Sequence, residues 1–182
     1  VFLYGLLGIP MLNNQPLSIY NGNLWFILLA GFGCFFLIWL TNLYNFMDGI
    51  DGLAAVEAIF FMASIAIFYH DLLFFPLANI TWFLCPLLIG FLLWNFPKAK
   101  LFMGDVGSSF LGAFIGLISI YLATTSWANF MVCIILLAVF IVDATLTLIK
   151  RFFNRDNVFQ AHCTHAYQHA SRYFGSHVHV TL

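Results

Sequence analysis

Residues 24–54 read LWFILLAGFGCFFLIWLTNLYNFMDGIDGLA. From Leu24 to Leu40 no side chain carries a charge or an amide, and such a run approaches the ~20 residues that a ~30 Å hydrocarbon core demands of a helix. The run then turns polar: Asn42, Asn45 and Asp48 recur at every third residue, on one helical face. Gly49 and Gly52 permit a tight break, and Asp51 is placed to cap a second helix beginning near Leu53. The stretch predicts a membrane span that surfaces at a polar turn and re-enters. A capped turn needs only one such side chain, whereas this one spends several at a membrane boundary, where polar groups are expensive and tend to be functional.

The remaining composition agrees with a bilayer as solvent. Of 182 residues, 63% are hydrophobic, 19% aromatic and only 7% charged, against roughly 25% charged in a soluble domain. A net charge of −1 with no basic run gives no footprint for nucleic acid. Cys34, Cys85 and Cys133 lie in apolar stretches and Cys163 stands alone, so without a CxxC pair they read as small apolar fillers. Apolar runs at 1–12, 24–44, 53–69, 82–96, 107–125 and 130–149 predict an all-α, polytopic transmembrane helical bundle of about five full spans plus one partial span. It reads as a single membrane-embedded domain over 1–182, with loops 45–52 and 97–106 and a tail over 150–182. The short first run, with no starting Met, predicts a fragment lacking its N-terminal part.

Five spans place 45–52, 97–106 and 150–182 on one face. All six basic residues, Lys98, Lys100, Lys150, Arg151, Arg155 and Arg172, fall there, which by the positive-inside rule makes that face cytoplasmic.

A second polar cluster runs from Lys98 and Lys100 through Phe102, Gly104 and Asp105 to Gly107, Ser108 and Ser109, leading into a membrane helix. A helix start offers free N–H groups and partial positive charge, glycines let a phosphate approach the backbone, and lysines add full charge. The competing structural reading makes Asp105 or Ser108 an N-cap and the lysines ordinary interfacial anchors. An acid beside an anion site makes sense if a divalent cation bridges them.

The third cluster is His162-Cys-Thr-His165-Ala-Tyr-Gln-His169-Ala-Ser-Arg172. If helical, its three histidines and arginine share one face, able to hold a metal or phosphate groups; a solvated surface helix is the alternative. His177 and His179 read as strand or loop with no role. Two intramembrane acids, Glu57 and Asp143, are expected either to touch the reaction or to bond between helices.

These motifs together resemble the polyprenyl-phosphate N-acetylhexosamine-1-phosphate transferases, the MraY/WecA/TagO superfamily of glycosyltransferase family 4. NFMDGIDGLA at 45–54, FMGDVGSSFLG at 102–112 and HCTHAYQHASR at 162–172 are similar to its three motifs in order and spacing. The HAYQ form of the last resembles the WbpL/WbcO-like branch, which initiates O-antigen and related cell-envelope glycans.

The resemblance implies a bacterial inner-membrane, multi-pass enzyme with its site facing the cytoplasm. It transfers an N-acetylhexosamine-1-phosphate from a UDP-sugar to undecaprenyl or another polyprenyl phosphate, releasing UMP. Asp105 would hold Mg²⁺, or Mn²⁺ in its place, with Asn45 and Asp48. Asp51 and Phe102 would belong to the uridine pocket, and His165 with His162 would contact phosphates. Catalysis would then rest on Asp48, Asp51, Asp105 and His165, with Lys100, Ser108, His169 and Arg172 binding substrate. A homodimer is compatible with the resemblance. The family's adjacent Asp-Asp pair is absent, so the chain alone is expected to be inactive. An ion- or proton-coupled transporter is the alternative that such acids also suit, but its acids belong at mid-membrane between repeats, whereas Asp48, Asp51 and Asp105 gather at one surface.

Overall fold

In the computed structural model of the protein, residues 11–12, 15–16, 24–69, 75–154 and 165–181 are described. Helices occupy each predicted span: α1 (Leu24–Met47), α2 (Leu53–Phe68), α3 (Phe75–Asn95), α4 (Gly104–Thr125) and the pair α5 (Trp127–Leu136) and α6 (Ala138–Phe153). Two short helices follow, α7 (Ala166–Phe174) and α8 (Val178–Thr181). The result is an all-α membrane bundle. Of the partial span expected over 1–12, only Met11 and Leu12 are described, and they are extended: strand β1 (Met11–Leu12) pairs antiparallel with β2 (Gln15–Pro16) in the register Met11↔Pro16.

Among the described residues, α1 and α4 are each long and apolar enough to cross a membrane alone. At 16 residues, α2 reaches only about 24 Å at 1.5 Å per residue. The fifth span differs from the straight helix expected over 130–149, because α5 and α6 meet at 74°. Neither Pro nor Gly stands at the break. The reason is tertiary: α5 packs on α4 while α6 packs on α1, and one straight rod cannot follow both. Leu137, fully buried, makes the turn at φ −94° and ψ 8° with its N–H still bonded to the Cys133 carbonyl at 3.1 Å.

The core forms where α1 and α4 approach. A Cβ added at Gly112 would lie 2.8 Å from the Leu40 carbonyl oxygen and 2.9 Å from Thr41 Cα, so only glycine allows this separation. Gly116, one turn on, faces Leu37 and Leu40 at contact distance, and the pair forms the small-x-x-x-small stripe by which membrane helices pack closely. Tyr44 is buried beside them, its ring 5.3 Å from that of Phe140 and its hydroxyl donating to the Ala54 carbonyl at 2.7 Å. Outward faces carry large apolar side chains, among them Phe35, Ile38, Phe83, Leu87, Leu93 and Val139, all exposed. This inside-out pattern suits lipid contact.

Gly112→Ala should separate α1 from α4 and cost about 1–3 kcal/mol, the range for overpacking a close contact. Gly31→Ala, where an added Cβ meets nothing within 4 Å, is the control. Thermal unfolding of the full-length protein in detergent should show a lower midpoint for the first variant only.

Candidate active site at one end of the bundle

The close approach of α1 and α4 brings the first two polar motifs together. A cavity of about 240 Å³ opens among Asn45, Asp48, Asp51, Asn95, Phe102 and Asp105. Asn45 lies in the last turn of α1, Asp48 directly follows the helix, and Asp105 lies in the first turn of α4. Asn42, on the same sequence face, lies instead against an apolar groove between α1 and α6, its amide donating to the Ile38 carbonyl at 2.7 Å.

Ser108, expected at a phosphate, is fully buried beneath the cavity, its hydroxyl 3.0 Å from Asn45 Oδ1 and 3.1 Å from the Gly104 carbonyl. One hydroxyl proton cannot serve both acceptors. The Ser108 hydroxyl donates to Asn45 Oδ1, with the Gly104 carbonyl as its alternative acceptor. Ser108 thereby orients Asn45.

The carboxyl of Asp48 is pushed up to about 6 by burial first and the charge of Asp105 second. The sign follows from linkage: the folded protein holds the Asp48 proton more tightly than the ordinary carboxyl does, so ionising it costs stability as pH rises through 6. A cation between the two carboxylates offsets that cost. Two carboxylates on one cavity, with the Asn45 amide beside them, suit Mg²⁺, which takes one or two protein carboxylates and completes its shell with water and phosphate oxygens. No group of three or more His, Cys, Asp or Glu comes together among the described residues.

Asp51 does not cap α2 as its position predicts. The residue before α2 is Gly52, in the left-handed region at φ 80° and with the Phe96 ring 2.8 Å from where a Cβ would stand. Asp51 Oδ2 instead accepts the Ala99 N–H at 3.1 Å, drawing the Lys98–Lys100 loop onto the cavity rim. Asn95, which sequence reading passed over, makes the companion link: its side-chain oxygen accepts the Gly52 N–H at 2.7 Å and its NH₂ donates to the Leu101 carbonyl at 2.8 Å. Its only signal in the sequence is an amide at the end of an apolar run. Phe102 stands 75% exposed at the lip, whereas Lys100 does not line the cavity and holds its Nζ 5.9 Å from the Trp94 ring centre.

The histidine segment is arranged differently from the single helical face expected. Helix α7 begins only at Ala166, so His165 is extended at its entrance, with ψ 150°. His165 is 2% exposed and lies behind the cavity wall, stacked with the rings of Phe46 and Tyr167. His169 and Arg172 are exposed on α7 and line no part of this cavity; the Arg172 Nε–H donates to the Gln168 carbonyl at 3.1 Å. His162 lies outside the described residues. His177, assigned no role from sequence, has Nδ1 3.4 Å from both the Asp51 amide and Asp51 Oδ2, and Thr181 donates to the Asp51 carbonyl at 2.9 Å. His177 lies in a bend just before α8, the short helix that holds His179 and Thr181. Of the intramembrane acids, Asp143 bonds to α7, and Glu57 keeps a buried carboxyl oxygen with no partner among the described residues.

The glycosyl transferase family 4 profile matches residues 1–123, which hold both motifs that build this cavity. The chain belongs to glycosyl transferase family 4. Among its relatives, a probable undecaprenyl-phosphate N-acetylglucosaminyl 1-phosphate transferase of Bacillus subtilis is 33% identical over 125 residues, covering 67% of this chain and 35% of that protein. A phospho-N-acetylmuramoyl-pentapeptide-transferase of Streptococcus agalactiae is 38% identical over 95 residues, 52% of this chain and 28% of its own. A decaprenyl-phosphate N-acetylglucosaminephosphotransferase of Mycolicibacterium smegmatis is 40% identical over 85 residues, 42% of this chain and 21% of its own. The chain thus spans about a third or less of the length of the curated relatives it matches. No solved structure matches it at a significant level.

Asn95→Leu should leave the Gly52 N–H, buried in the fold, without its acceptor, at a cost of about 1–3 kcal/mol. Hydrogen exchange at Gly52 in the full-length family 4 protein should speed up accordingly, while amides in the middle of α4 keep their wild-type rate.

Proposed function

We propose that the full-length protein transfers a sugar-1-phosphate from a UDP-N-acetylhexosamine to a polyprenyl phosphate at this cavity and releases UMP. The observation that carries the reading is the meeting of Asp48, Asp105 and Asn45 around one opening at the start of α4. That grouping joins hard oxygen ligands to a helix start, the combination that handles a cation and phosphate groups together. The named relatives act on undecaprenyl or decaprenyl phosphate or on a phospho-N-acetylmuramoyl-pentapeptide.

In this mechanism an oxygen of the lipid phosphate attacks the β-phosphorus of the donor. The new P–O bond forms as the bond to the bridging oxygen breaks, and that oxygen leaves with its electron pair on UMP. Asp48, Asp105 and Asn45 would hold Mg²⁺, which when bound neutralises charge on the phosphoryl oxygens. The amides of the first turn of α4, which have no partner within the helix, would donate to the same oxygens with little reorganisation as charge develops. Phe102, exposed at the lip, offers a face on which a uracil ring can stack. Asp51 keeps the basic loop at the rim through Ala99. The apolar groove between α1 and α6 keeps the prenyl chain in lipid while its phosphate reaches the surface.

Full-length protein should release UMP from a UDP-N-acetylhexosamine only when polyprenyl phosphate and Mg²⁺ are both present, and EDTA should stop it. Asp105→Asn keeps the side-chain shape and removes a full charge, so its rate should fall about a hundredfold or more, the scale for losing one electrostatic stabiliser, with an unchanged melting temperature. Normal turnover in metal-free buffer, or in a folded Asp105→Asn variant, contradicts the assignment.

With a carboxyl near 6 among the ligands, protons compete for the cation below that pH. The apparent affinity for Mn²⁺, read by electron paramagnetic resonance, should weaken by roughly tenfold per pH unit below 6 and level off above 7.

A further inference from the structure

Asp143 sits in α6 beyond the bend at Leu137, and apart from Thr147 on its own helix the contacts described for its carboxylate lead to the entrance of α7. Oδ1 accepts the Ala166 N–H at 2.8 Å and the Thr147 hydroxyl at 3.2 Å, Oδ2 accepts the Tyr167 N–H at 3.0 Å, and His165 Nδ1 lies 3.5 Å away. The first amides of a helix have no partner within it and carry its partial positive charge. A carboxylate supplied by a different helix satisfies two of them at once through charge-assisted bonds. Gln168 completes the entrance, its side-chain oxygen accepting the His165 N–H at 3.2 Å.

The helix so held reaches the cavity from behind. Tyr167 donates its phenolic hydroxyl to the Phe46 carbonyl at 3.0 Å, and that hydroxyl occupies the place where a Cβ on Gly49 would stand. Phe46 adjoins Asn45, and Gly49 adjoins Asp48. The Phe46 ring also stacks on buried His165, centroids 6.4 Å apart. The route from Asp143 through Tyr167 therefore ends on the backbone that aims Asn45 and Asp48, while Asp143 itself lines no part of their cavity.

We propose that Asp143 is a positioning residue that, by capping α7, presses Tyr167 and His165 against the end of α1 and fixes the backbone carrying Asn45 and Asp48. The structural half of this inference stands on the geometry alone; its effect on turnover rests on the transferase reading. The bend at Leu137 gains a purpose from it, since a straight fifth span would not present Asp143 to the helix it caps.

Hydrogen exchange on the full-length protein separates the links. Asp143→Ala should raise exchange at the start of α7 and across 45–52 by tenfold or more, leaving 107–125 at the wild-type rate. Tyr167→Phe, which removes only the hydroxyl, should raise exchange across 45–52 and leave the start of α7 protected. Asp143→Asn keeps one acceptor oxygen and should give the Asp143→Ala pattern at smaller amplitude, so it serves if the alanine variant does not fold. In UMP release, both single variants should lower kcat by roughly ten- to a hundredfold, the scale of a small misplacement of reacting groups. The double variant should be no slower than Asp143→Ala, because the two act along one route. Exchange across 45–52 that stays at the wild-type rate when α7 is uncapped overturns the proposal, as does a double variant whose losses multiply. If the wild-type protein releases no UMP at all, the transferase reading falls, and the exchange pattern still decides the role of Asp143.

Discussion

The structure depends on one close approach, that of α4 to α1 at Gly112. With no Cβ there, the α4 backbone lies against Leu40 and Thr41, and everything at the polar end of both helices inherits that spacing. Ser108, one turn before Gly112 on α4, reaches Asn45, one turn after Thr41 on α1, at 3.0 Å. Asp105, one turn earlier still, comes to the cavity that Asp48 lines. In a bilayer the hydrophobic effect does not drive helices together, because lipid is as apolar as leucine. Tight packing and buried polar bonds must supply the attraction, and this pair has both.

The same approach creates an electrostatic conflict. Asp48 and Asp105 are like-charged, and Asp48 is partly buried, so its carboxyl is held well above the ordinary range. A protein built only for stability has no use for that arrangement; a site for a divalent cation and phosphates does. Around the conflict the fold is cross-braced. Asn95 ties the turn after α1 to the loop before α4, Asp51 ties that turn to the basic loop, and Thr181 ties it to the C-terminal helical turn. Segments far apart in sequence are thereby fastened at one end of the bundle.

Much of this was legible in the residues. The period of three in Asn42, Asn45 and Asp48, the glycines around Asp51, and the acid and serine at the head of a long apolar run identified two of the cavity's walls. They were readable because each lies within one local motif whose spacing is its own signal. Asn95, Tyr167 and Asp143 were not readable in the same way. Each acts through one partner distant in sequence, as Asp143 does on amides more than twenty residues on, and no local period marks such a pair. The histidine segment was misjudged for the same reason. A helical face drawn through His162, His165, His169 and Arg172 assumes a helix that already includes His165, but the cap from Asp143 starts α7 at Ala166 and folds His165 inward.

By itself the sequence determined the bilayer as solvent, the positions of the membrane helices, and Asn45, Asp48, Asp51, Phe102 and Asp105 of the acid-lined cavity. These follow from hydropathy and local spacing, which act between near neighbours. Only the tertiary structure decided that the fifth span breaks at Leu137, that Ser108 bonds to Asn45, and that the histidine helix is seated by an acid from α6. Those outcomes depend on which helices touch, and in a membrane that choice rests on the fit of small residues and on a few buried hydrogen bonds, which no one-dimensional pattern records.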